Sequence, residues 1–228
     1  MAVLSVATEK AIRSWLVRFT KLTTNVYGLD KVFRLIVYTL TLVAASLAKR
    51  NPTSPHLATL KAFAGPLTDA RITMRVLSTL PSIEYAWGNE YNPTALDRTQ
   101  NLLMLIYAPA ELMYWLSAHN IIKISALAND RWSRASCMAW AGWIVLELVT
   151  IVRGLRAARQ EARAVGADRA KARARLKDLE LRLVAQLADL PMAIHWSLPA
   201  YPMPQWWVGF FGVLGGVAGY IRMWKATA

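Results

Sequence analysis

The residues best suited to acid–base, nucleophilic or metal chemistry are His56, His119, His195, Cys137, Glu111, Glu147 and Asp189. A metal site needs ligands at short helical or loop spacings, and the three histidines are far apart with no cysteine pair to join them. A nucleophile needs a base within reach, and a phosphate cradle needs a Gly-rich turn after a strand; the sequence offers neither. Glu111, Glu147 and Asp189 each sit in an apolar run. A carboxylate there could relay protons, but buried acids in helical bundles usually exist to pair with Arg, Lys or a hydroxyl, and that structural role is expected. No catalytic residue, metal or cofactor is predicted. Cys137 is the single cysteine, so an intrachain disulfide is impossible.

The composition points to lipid. The 228 residues carry 27 Lys and Arg against 14 Asp and Glu, a net charge of +13, with 55% apolar residues and a mean hydropathy of +0.27. Such a charge seeks phosphate backbones or acidic head groups. Ten Trp, eight Tyr and eight Met favour the membrane boundary, where a ring can keep one edge dry and the other wet. The expected partner is an acidic phospholipid membrane, not nucleic acid. The start of the chain predicts no secretory signal, because the short run from Ala2 to Ala7 meets Glu9 and Lys10.

Helical periodicity runs through the chain and no segment alternates as a strand does. From Thr8 to Thr24, Ile12, Trp15, Leu16, Phe19 and Leu22 share one face, while Lys10, Arg13, Arg18 and Lys21 flank or oppose it. This pattern predicts a basic amphipathic helix lying on a membrane surface. A turn at Tyr27-Gly28 and a helix start near Asp30 follow. Leu35 to Ala48 is uncharged but short for a span, which needs about 20 residues, and is read as buried in protein or sunk into one leaflet. After Asn51-Pro52-Thr53-Ser54-Pro55, the stretch Leu57 to Leu80 places Leu57, Leu60, Ala64, Leu67, Met74 and Leu77 in a stripe. Lys61 and Arg75 lie away from it, and Arg71 is close to its edge.

Ala95 to Ile122 is apolar with Pro109 and Glu111 at its centre, and Ala135 to Val152 carries one charge, Glu147. The latter is read as a span whose Glu faces other helices or as a core helix. Residues 153–182 hold ten Lys or Arg and predict solvated helix on both sides of a turn. Beyond Asp189 there is no Asp, Glu, Lys or Arg until Arg222. Aromatic Trp206 and Trp207 at one end, cations Arg222 and Lys225 at the other, predict a C-terminal span at 205–221. Gly212 with Gly216, and Gly215 with Gly219, form two small-xxx-small pairs that let another helix approach closely.

The predicted architecture is therefore all-α: a membrane-associated helical bundle with amphipathic N-terminal helices and a Gly-rich C-terminal transmembrane helix. Residues 1–92 form the basic amphipathic, membrane-remodelling region. Residues 93–228 form a helical membrane region with a basic connector at 153–182 and the span at 205–221. A helix inserted in one leaflet expands it and favours curvature. Leu57–Leu80 is the first candidate, with Leu57, Leu60, Lys61, Leu67, Arg71, Met74, Arg75 and Leu77 as its contact residues, and Thr8–Thr24 is the second. Curvature needs many copies, which makes the chain a homo-oligomer.

Gly28-Leu29-Asp30-Lys31, then Arg34-Leu35 and Tyr38, resembles the Gly-Arg-Asp-Lys…Arg-Leu…Tyr opening of the peroxin-eleven family of peroxisome-dividing membrane proteins. Leu67-Thr68-Asp69-Ala70-Arg71 with Arg75 is similar to that family's Ala-Arg…Arg helix. Ala188-Asp189-Leu190-Pro191-Met192-Ala193-Ile194-His195-Trp196 resembles the block before its final span, particularly in the gamma-like branch. Leu29 and Leu77 depart from the pattern, standing where the family has Arg and often Gly. The resemblance covers about Tyr27 to Lys225. It implies an integral protein of the peroxisomal membrane that self-associates, elongates the organelle before fission and recruits fission machinery. Pore formation for small solutes is the alternative it implies.

Overall fold

The computed structural model describes residues 6–75, 79–87, 93–164 and 168–227. Among them the chain forms eight helices: α1 (Val6–Thr23), α2 (Val26–Arg50), α3 (His56–Arg75), α4 (Thr79–Trp87), α5 (Ala95–Ala118), α6 (Ala126–Arg163), α7 (Arg169–Ser197) and α8 (Gln205–Lys225). The all-α expectation holds. Leu77 lies outside the described residues.

Local chemistry sets the helix ends. Asn25, not Asp30, caps α2: its side chain accepts the Tyr27 N–H at 2.9 Å, so Gly28 lies inside the helix and is buried there. The Thr94 hydroxyl accepts the Asp97 N–H, and the Asp97 carboxylate accepts the Thr94 N–H in return, a reciprocal cap that starts α5. Ser125 caps α6 by accepting the Ala128 N–H, and Asp168 caps α7 by accepting the Ala170 and Lys171 N–H groups. Asn120, at φ 58°, follows α5 in the left-handed conformation Asn tolerates best.

The helices pack as neighbours in a bundle, α2 against α3 and α8, α7 against α6 and α8, and α5 against α4 and α6. The expected boundary at 92/93 falls between α4 and α5, and α2 packs across it onto α8. Residues 153–164 and 168–182 form the solvated end of the α6–α7 pair, and Ile151, Leu155, Ala158 and Leu179 form a core between the two helices. A second core joins Tyr38 of α2, Met192 of α7 and Val208 of α8.

Among the described residues two helices are long and apolar enough to cross a membrane, α2 and α6. For α2 this revises the short-segment reading. The uncharged run is 14 residues, but the helix is 25 residues long, and the charges near its start are used inside the bundle. On α6, Glu147 is buried while Met138, Val145 and Val149 face outward, the arrangement expected of a span whose acid faces other helices. The C-terminal helix forms where the sequence places it, over 21 residues. Its Gln, Trp, Tyr and Gly residues hold its mean hydropathy down, so it is not one of the two.

Of the stripe expected over Leu57–Leu80, α3 holds the part from Leu57 to Arg75 and α4 holds Leu80, with residues 76–78 outside the described residues. Pro66 lies within α3.

Candidate functional site

Near the start of α2, three charged residues, Asp30, Lys31 and Arg34, and the Tyr38 ring lie on one side of the helix and face into the bundle. Arg34 is buried and forms a two-pronged ion pair with Asp189 of α7, Nη1 donating to Oδ2 at 3.1 Å and Nη2 to Oδ1. Its Nε points at the Gly212 carbonyl of α8 at 3.5 Å. Asp30 accepts from Arg71 Nε of α3 at 2.8 Å and lies 3.6 Å from the Lys31 ammonium. Arg75 lies 3.8 Å from Asp30 and donates from Nη2 to Glu111 of α5 at 2.8 Å. The Tyr38 ring lies between Arg34 and Arg71, 5.5 and 5.6 Å from the two guanidinium carbons. Segments of α2, α3, α5, α7 and α8 thus meet in one charged centre.

The arrangement neutralises buried charge, because a lone ion in this surrounding would cost several kcal/mol. The acids singled out in the sequence have the expected kind of partner: Glu111 has Arg75, Asp189 has Arg34, and Glu147 has Arg182, with Gln100 Nε2 donating to it at 3.3 Å. The pairing itself was not legible, since Arg34 and Asp189 are 155 residues apart.

The glycines of α8 explain how the centre closes. A Cβ on Gly215 would lie 2.8 Å from both Arg34 Nη2 and Asp189 Oδ1, and one on Gly209 would lie 2.7 Å from the Leu42 backbone. At Gly212 it would collide with the Tyr38 ring, at Gly216 it would come within 2.9 Å of Leu35, and at Gly219 within 3.3 Å of Lys31. The glycine strip therefore receives a helix, and that helix is α2 of the same chain. Close approach of this kind is what small-xxx-small spacing provides. Gly28 has a similar reason: a Cβ there would overlap the Leu22 carbonyl, so only Gly lets α1 turn back against α2.

The remaining motif residues brace the far end of α7. Pro191 lies within the helix and Leu190 is half-buried. His195 is buried and its Nδ1 accepts the Met203 N–H at 3.0 Å, tying down the loop into α8. Trp196 stacks on Trp140 of α6 at 6.1 Å.

The two amphipathic helices differ sharply. On α3, Leu57, Leu60, Leu67 and Met74 are half-buried, Lys61 is exposed and Arg71 is buried. With Arg71 on Asp30 and Arg75 on Glu111, both cations are occupied by the protein. On α1, Leu22 is buried and Phe19 is half-buried, whereas Ile12, Trp15 and Leu16 are 45%, 48% and 50% exposed. This helix is held at the end of α8: Arg18 Nη2 donates to the Trp224 carbonyl at 2.8 Å and its guanidinium lies 4.4 Å from the Trp224 ring. Arg222, in the same turn of α8, donates to Asp178 of α7 at 2.8 Å. These contacts were not legible in the sequence. Among the described residues there is no cluster of three or more metal-ligating side chains.

The family model described as peroxisomal biogenesis factor 11 (PEX11) matches residues 16–224. The human protein described as peroxisomal membrane protein 11C is 26% identical over 223 residues, covering 88% of this chain and 89% of the human one. No solved structure matches the chain.

Proposed function

The chain belongs to the peroxisomal biogenesis factor 11 family, and from that premise we propose that it curves and elongates the peroxisomal membrane before division, with α1 as the helix that inserts into one leaflet. As a member of this family it is a peroxisomal membrane protein and not an enzyme. The block from Ala188 to Trp196 supports its reading as gamma-like.

One observation carries the choice of α1: an apolar face of Ile12, Trp15 and Leu16 left half-exposed on a basic helix. The end of α8 where α1 is held carries Trp224 between Arg222 and Lys225, the residues expected at a membrane boundary. Sinking that face into lipid removes about half of each side chain from water, roughly 1 kcal/mol apiece or about 3 kcal/mol together. Lys10, Arg13 and Lys21 each add about 1 kcal/mol on an acidic surface. α3 is the weaker candidate because its stripe is half-buried and two of its cations are already paired. One wedge bends a membrane little, so the proposal includes self-association and, at division, recruitment of fission machinery. Since α2 fills the glycine strip, contact between copies would use an outer surface, for which Trp207, Phe210, Leu214, Val217 and Ile221 of α8 line up at spacings of three and four on the exposed side.

The test is reconstitution of the full chain into phosphatidylserine-containing liposomes, imaged by electron microscopy. The wild-type chain draws tubules, and a Trp15→Asp/Leu16→Asp variant that inserts normally leaves spheres. Equal tubulation by the variant would remove α1 from the mechanism.

A further inference from the structure

We propose that the cleft between α2 and α3 is a binding site for one anionic phospholipid, an acyl chain lying between the helices and the headgroup phosphate resting on Lys61. The cleft has a volume of about 460 Å³, within the range of small-molecule sites. Leu40, Ala44 and Ala48 line it from α2, and Leu57, Leu60 and Ala64 from α3. The two helices pack against each other, and their short alanines leave this cleft open along the seam. From Leu40 to Ala48 the helix rises about 12 Å, most of the roughly 15 Å depth of one leaflet's hydrocarbon. The cleft is therefore lined mainly by apolar residues, along a candidate span and over most of a leaflet's hydrocarbon depth.

Charge selects the headgroup. Lys61 is the ionisable residue in the lining, and its long stem lets the ammonium reach the head-group level. Lys49 and Arg50 follow Ala48 directly, and the Lys49 ammonium lies 5.8 Å from the Trp206 ring, beside Gln205 at the same mouth. Among the described residues none of these three cations forms an ion pair, and the sequence has no Asp or Glu between Lys31 and Thr68. A mouth with three cations and no acid fits a phosphate whose charge no choline offsets, so phosphatidylserine is preferred to phosphatidylcholine.

The full chain, extracted into mild detergent from bilayers of equal phosphatidylserine and phosphatidylcholine, provides the test by native mass spectrometry. One phosphatidylserine per chain is expected to be retained, favoured by about tenfold, the ratio a single charge-assisted contact can supply. Lys61→Gln should bring the two lipids toward parity. Ala45→Trp, which fills the cleft, should remove bound lipid of both kinds; Ala48→Trp, at its rim, keeps the experiment decisive if the deeper variant does not fold. Inorganic phosphate should not displace the lipid. Equal retention of the two lipids by the wild-type chain, retention unaffected by all three variants, or displacement by phosphate alone would overturn the proposal.

Discussion

Replacing Asp189 by Ala would leave the Arg34 guanidinium buried without its counter-ion. The two side chains are 8% and 12% exposed, so solvent screens the pair little. Removing one partner of a buried pair costs about 3–5 kcal/mol, chiefly because the survivor stays desolvated. That is a large share of the roughly 5–15 kcal/mol that holds a typical protein folded. The nearby Gly212 carbonyl and Tyr38 ring cannot substitute for a full charge. The double variant Arg34→Met/Asp189→Leu removes both ions and should recover most of the loss, since well-packed apolar replacements of buried pairs are often neutral. The assay is SDS-titrated unfolding of the full chain in bicelles, followed by circular dichroism. Glu161→Gln is the control: its pair with Arg175 is about half-exposed, and its loss should cost less than about 1 kcal/mol. An Asp189→Ala chain within about 1 kcal/mol of wild type, or a double variant no better than the single one, would refute the reasoning.

Gly28→Ala should destabilise the chain by about 1–3 kcal/mol, because the new methyl meets the Leu22 backbone carbonyl and not a movable side chain; unfolding of the detergent-solubilised protein measures it. Gly65→Ala should do the reverse and stabilise by roughly 0.5–1 kcal/mol, since a Cβ there meets nothing within 4 Å and Ala is the better helix former. Gly212→Ala should displace the Tyr38 ring and separate α8 from α2, read as reduced cross-linking between cysteines placed at Lys31 and Gly219, which face each other, in a Cys137→Ser background. His119 hydrogen-bonds to the Trp115 carbonyl and to Asp69, and both raise its pKa above the ordinary histidine value. A raised folded-state pKa means that its tie between α5 and α3 is strongest below about pH 6.5 and is lost as pH climbs through the raised value. Hydrogen exchange near Asp69 should therefore quicken as pH rises, after correction for the intrinsic rate, and His119→Gln should abolish that change.

The helices were largely legible because their signals are local: the Asn51–Pro55 break, the basic run at 153–182 and the uncharged tail before Arg222 are each read within a window of residues. The roles of the buried acids were also legible, since a carboxylate in an apolar run has few other uses. What the sequence could not supply was the identity of the partners. Spacing among Gly212, Gly215, Gly216 and Gly219 says that a helix comes close, but not that the helix is α2 of the same chain. The full reach of α2 was hidden because Arg34 looks like a flank until Asp189 neutralises it. Periodicity ranked Leu57–Leu80 above Thr8–Thr24, although both have an apolar face. Only the fold shows that α2 covers much of the first while Ile12, Trp15 and Leu16 remain open.

Depth in the bilayer decides whether α1 works as proposed. Spin labels placed singly along Ile12 to Lys21, in a Cys137→Ser background reconstituted into phosphatidylserine-containing vesicles, report accessibility to oxygen and to a water-soluble nickel chelate. Labels at Ile12, Trp15 and Leu16 should lie about 5–10 Å below the head groups, while those at Ser14 and Lys21 should lie in water. Uniform water exposure at all of these positions would contradict the account.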